Sequence, residues 1–200
     1  RDGGMENRGR TLDFKMRPEQ QAAVEQASHH FRDYNQKENK VPHFLWNAKM
    51  RFGKTFAAYQ LALELDWKKV LVLTFKPAVQ SAWEEDLKTH VDFEGWQFVS
   101  RDGLSGDDVD ESKPFVCFGS FQDYLGKNKT TGGIKAKNEW AHLTDWNCVI
   151  FDEYHYGSWR EKSKDLFESD GDEISMQMGD ISEFDEDILP ITTKNYLYLS

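Results

Sequence analysis

Two hundred residues, 38% of them hydrophobic, suffice for one globular domain with a full core, which excludes a peptide or a disordered tail. No stretch approaches the roughly 18 apolar residues that cross a bilayer, and residues 1–10, polar with three glycines, read as a flexible leader rather than a secretory signal. The net charge of -10 is local: residues 165–187 hold ten Asp or Glu and no Lys or Arg, leaving 25 acids and 25 bases elsewhere, so the average does not exclude a basic face for phosphate.

In 18–31, Ala22, Ala23, Val24, Ala27 and Phe31 fall near helical spacing, with Pro18 tolerated in the first turn. His29-His30 on that helix reads as a solvated face rather than a metal site, with no thiol nearby. His43 to Trp46 is a short apolar strand, and 55–65 is a helix buried on most of its surface. The pattern then repeats: 69–75 is a buried strand and 78–89 a helix. Residues 96–100 and 115–118 predict two more strands, separated by a solvated excursion over 101–113. A helix starts at Ser120 and is broken by 127–138, where Gly132-Gly133 and several lysines read as a surface insertion. Residues 147–151 and 195–199 are the remaining strands, with the acidic 165–187 between them as a solvated loop insertion. Strands alternating with helices predict an α/β domain over 11–200, with a mostly parallel sheet covered on both faces. Cys117 and Cys148, each inside an apolar run, read as reduced core thiols, which suits a soluble protein of the cytoplasm.

Two junctions carry chemistry. After the first strand comes Ala48-Lys49-Met50-Arg51-Phe52-Gly53-Lys54-Thr55, leading directly into a helix. A loop there aims backbone N–H groups and the positive end of the helix dipole at a triphosphate. Lys54 would reach the outer phosphates of ATP and the Thr55 hydroxyl would hold Mg2+. Later, Cys148-Val149-Ile150-Phe151 delivers Asp152 and Glu153 to the carboxyl edge of the sheet, where α/β sheets bind ligands. Asp152 is placed to bind Mg2+ through water and Glu153 to orient and deprotonate the attacking water, since phosphoryl transfer needs positioning and charge neutralisation.

Together these junctions resemble motifs I and II of the first RecA-like domain of superfamily 2 helicases and translocases, with Asp152-Glu153-Tyr154-His155 as a DExH-type motif II. The resemblance spans 14–200 and implies a RecA-like P-loop NTPase fold. It implies that 14–20 recognises adenine, with Gln20 and Arg17 on the base, and that Lys76, Ser120 and Gln122, in the counterparts of motifs Ia and Ib, contact a nucleic-acid backbone. His155 is expected to link nucleotide state to a second RecA-like domain, to which nothing in this chain is similar. Within the superfamily, the look of both motifs is most similar to helicase-like subunits of restriction-modification systems and related translocases, which implies DNA rather than RNA.

Arg51 stands where many members of that superfamily have Gly, and a non-Gly residue held at positive φ costs about 1–3 kcal/mol. Its side chain is expected over the nucleotide or toward the second domain. Trp159-Arg160 reads as packing under a loop or stacking on a base. The acidic run has a sharper reading as a flap mimicking DNA charge. Two rivals share the motifs: a P-loop ATPase that does not act on nucleic acid, and a non-catalytic interaction module that keeps the fold.

Overall fold

The computed structural model describes residues 10–37, 41–49, 51–125, 139–153 and 191–200. Met50, His155, Trp159-Arg160, the 127–138 insertion, 1–9 of the leader and the acidic run 165–187 lie outside them. The chain runs α1 (Pro18–Lys37), β1 (His43–Trp46), α2 (Lys54–Glu64), β2 (Lys69–Thr74), α3 (Gln80–Thr89), β3 (Gln97–Val99), β4 (Phe115–Ser120), α4 (Phe121–Leu125), α5 (Glu139–Leu143), β5 (Asp145–Trp146), β6 (Cys148–Asp152), β7 (Thr192–Thr193) and β8 (Tyr196–Leu199).

Six strands form one sheet in the order β1-β8-β6-β2-β4-β3, with every pairing parallel. Successive side chains on a strand face opposite ways, and the apolar runs of β2, β4 and β6 therefore feed two cores. Val70, Val72, Val116, Phe118, Cys148 and Ile150 pack with α1, α2 and α3 residues such as Phe31, Tyr59 and Trp83. Leu71, Leu73, Cys117, Val149 and Phe151 pack on the other face with Phe121, Ala141 and Trp146. Both cysteines are free and buried. This is the mixed α/β, RecA-like arrangement, with β1 and β6 ending on one edge of the sheet and only β8 between them.

Several elements depart from the sequence reading. Helix α1 continues past Phe31 to Lys37. A single 3-10 turn over Pro77–Val79 precedes α3, because proline opens it. Strand β4 extends through Gly119 and Ser120, which pair with Leu73 and Thr74. The 101–113 excursion is not wholly solvated: Leu104 and Val109 pack on the second core, and the Gln97 amide brackets Asp110, donating to its carbonyl at 2.7 Å and accepting its N–H at 2.9 Å. His30 is not on a solvated face either; its ring lies 5.1 Å from that of Phe44. Arg10, expected in the leader, donates to the carbonyls of Leu87 and His90 at the end of α3. Helix α5 and the small parallel pair β5-β7 are additional.

The β1-β8 junction carries a pH dependence. His43 stacks on Tyr196 at 4.7 Å and faces the Tyr198 hydroxyl through Nδ1 at 2.9 Å. Burial, then the nearby His30, lowers its pKa from 6.5 to about 4. A depressed histidine leaves stability intact above pH 6.5 and removes it as pH falls toward 4. Urea unfolding at pH 7 and pH 4.5 is expected to show a loss of about 2 kcal/mol from this site, and His43→Phe to lack that part of the decline. An identical decline in the variant would contradict it.

Candidate nucleotide site

The turn between β1 and α2 is built by α1. Gly53 is the N-cap of α2, at φ 77° and ψ 49°, and no side chain caps the helix. Arg51 also sits in the left-handed region, at φ 68°. Arg17 Nη2 donates to the carbonyls of Arg51 and Phe52 at 2.7 and 2.5 Å. Gln20 Nε2 donates to those of Phe52 and Gly53 at 2.9 and 3.2 Å, while its Oε1 accepts the Arg17 N–H at 2.9 Å. In a trans peptide the C=O and the following N–H point opposite ways, so the N–H groups of Gly53 and Lys54 face away from α1. Phe52 N–H turns back to the Lys49 carbonyl at 3.1 Å. Arg17 and Gln20 thus act on the turn itself, and Gln20, buried, has both ends of its amide engaged by the chain. A cavity of about 550 Å3 adjoins the turn, lined by Arg17, Phe44, Trp46, Ala48, Arg51 and Phe52. Lys49 also borders it and is exposed.

Strand β6 brings the carboxylates to this turn. Lys54 Nζ lies 2.8 Å from Asp152 Oδ1 and 2.7 Å from Glu153 Oε1. The Asp152 side chain is 1% exposed, those of Lys54 and Glu153 about a quarter. Burial alone would lower the Lys54 pKa, but hydrogen bonds and charge from Asp152 and Glu153 outweigh it and raise it. Glu153 ends the strand in the left-handed region at φ 52°, its N–H donating to Asp152 Oδ1 at 2.8 Å. Thr55 follows Lys54 in the first turn of α2 and is buried.

No cluster of three or more metal-ligating side chains exists among the described residues. Mg2+ keeps several waters and takes one or two carboxylates plus phosphate oxygens rather than an all-protein cage. A hydroxyl, two carboxylates and an uncapped helix start are a donor set of the right chemistry for Mg2+ with a triphosphate.

The residues expected on nucleic acid share the same edge. Thr74 of β2 is in register with both Ser120 and Asp152, and Lys76 lies just beyond it, exposed. Ser120 Oγ accepts the Asp123 N–H at 3.1 Å, which makes it the cap of α4. Gln122 is on α4, and its side chain lies outside the described residues. Sequence reasoning missed Trp83: its indole N–H donates to Asp152 Oδ2 at 2.7 Å. It missed Tyr59 as well, whose hydroxyl donates to the Trp83 carbonyl at 2.8 Å.

Comparison with known proteins agrees with the motifs. Residues 13–179 match the family described as type III restriction enzyme, res subunit. A candidate type II restriction enzyme and methyltransferase, the RM.MpnORF110P C-terminus of Mycoplasma pneumoniae, is 34% identical over 158 residues, 76% of this chain and 21% of that protein. The chain therefore spans about a fifth of this curated relative. The fold is similar to two solved structures. One is a nuclease-deletion mutant of the type ISP restriction-modification enzyme LlaGI with a DNA substrate mimic, at a TM-score of 0.55, 16% identity, and 94% and 17% of the two chains. The other is the ATP-dependent type ISP enzyme LlaBIII bound to DNA, at 0.59, 14% identity, and 95% and 13%.

Proposed function

The chain belongs to the family of type III restriction enzyme res subunits, a superfamily 2 helicase-like group associated with restriction-modification, and from that membership we propose that it is the ATP-hydrolysing motor domain of a DNA translocase. One observation carries the reading: Lys54 bridges Asp152 and Glu153 at 2.8 and 2.7 Å, which joins the phosphate turn to the acidic pair. Entry of a triphosphate exchanges carboxylate for phosphate at Nζ and releases Glu153 Oε1. Glu153 then accepts the proton of the attacking water, while N–H groups of the turn and Lys54 hold the phosphates. Thr55 and, through water, Asp152 would hold Mg2+, which would supply charge neutralisation for phosphoryl transfer. The cavity beside Arg17 and Phe52 seats the base, with Arg51 over the nucleotide or toward a second RecA-like domain of the same polypeptide.

Exposed Lys76, with Ser120 and Gln122, contacts the DNA backbone, and His155 couples nucleotide state to the second domain. The relatives' association with DNA and the buried free thiols support a place in the cytoplasm. Among the described residues no helix is long and apolar enough to cross a membrane.

The test is Mg2+-dependent ATP hydrolysis by the intact protein with and without duplex DNA. Turnover is expected to rise severalfold with DNA and to vanish in Lys54→Ala. Turnover indifferent to DNA and RNA would favour a P-loop ATPase of another kind. Absence of Mg-ATP binding by calorimetry would favour a non-catalytic module.

A further inference from the structure

Asp152 receives two kinds of support. Its Oδ1 takes the Lys54 ammonium and the Glu153 N–H, each at 2.8 Å. Among the described residues, Oδ2 takes a single donor, the Trp83 indole at 2.7 Å. A carboxylate on the aspartate χ2 torsion has a broad, two-fold well and does not fix its own plane. The indole can, because Trp83 is fully buried and doubly held. Its carbonyl accepts the Tyr59 hydroxyl, and the Tyr59 ring meets it edge-on at 5.2 Å and 88°. Tyr59 lies on α2, the helix that begins with Lys54 and Thr55. One packed chain of contacts therefore links the phosphate turn to the plane of the Asp152 carboxylate.

We infer that Trp83 is a positioning residue for the metal-facing carboxylate, holding Oδ2 so that Oδ1 stays directed to the phosphate side after Lys54 has left it. The inference rests on the reading of Asp152 as the Mg2+ carboxylate. An indole nitrogen donates and never accepts, so this support keeps one polarity whatever occupies the site. Partners in the outer shell of a metal site are worth about 10–100-fold in metal affinity or activity.

The test uses the intact protein with Trp83→Phe and, to keep ring volume while deleting the N–H, with 3-benzothienylalanine at position 83. Mn2+ affinity in the presence of AMP-PNP is read by electron paramagnetic resonance, and AMP-PNP affinity in EDTA by calorimetry. The expected result is Mn2+ affinity weakened about tenfold, with EDTA affinity within twofold of the parent. Should Trp83→Phe fail to fold, the benzothienyl protein decides. Unchanged Mn2+ affinity in a folded variant overturns the inference. Asp152→Asn is run alongside: if it weakens Mn2+ and the position-83 variants do not, the Trp83 role alone fails. If Asp152→Asn leaves Mn2+ affinity intact, the carboxylate reading fails, and the Trp83 role with it.

Discussion

A Glu153→Gln protein is expected to bind Mg-ATP at least as tightly as the parent and to hydrolyse it about 1,000-fold more slowly, within the range that a positioned general base contributes. Glutamine keeps the shape of the side chain and its reach to Lys54 but cannot take a proton from water. Affinity is retained because the substitution removes one of the two charges that hold Nζ at 2.7–2.8 Å, so less electrostatic attraction opposes transfer of the ammonium to phosphate. Single-turnover hydrolysis and calorimetric binding separate the two effects. Turnover within tenfold of the parent would remove Glu153 from the role of base.

Gly53→Ala is expected to damage both the fold and the site. A Cβ there would lie 2.5 Å from Gln20 Nε2, on a backbone at φ 77° that L side chains rarely adopt. The backbone alone costs about 1–2 kcal/mol, and displacing Gln20 breaks its bonds to the Phe52 and Gly53 carbonyls. We expect a total near 3 kcal/mol by urea unfolding, and at least a tenfold loss in ATP affinity as the turn's N–H groups lose their orientation. Stability within 0.5 kcal/mol of the parent, the range of ordinary surface substitutions, would show that Gln20 does not brace the turn.

The sheet was readable because β2, β4 and β6 are covered on both faces and so appear as unbroken apolar runs, Val70 to Leu73 being the clearest. The phosphate turn was readable because glycine, lysine and threonine stand together at a strand-to-helix junction. Elements of two to five residues, such as β5, β7 and α5, are too short to show a period and are fixed by pairing and packing with distant residues. Past Phe31 the end of α1 offers only Tyr34, too little to show a repeat. At the site, the residue types were legible but several of their partners were not. The bonds of Arg17 and Gln20 to the carbonyls of the turn, 34 and 32 positions away, leave no mark on the local sequence. Trp83 looks like any apolar ring because a local sequence does not reveal which acceptor an indole N–H will meet 69 positions away.

The division of the strands between two cores also limits how such a gene can change length. Insertion of a single codon within 148–151 would swing Asp152 to the opposite side of the sheet and exchange which residues each layer receives. Insertion of two would restore the side but carry the carboxylate about 6–7 Å along the strand, out of reach of Lys54. The number of amino acids between the start of β6 and its acidic end is therefore under the same constraint as their identity.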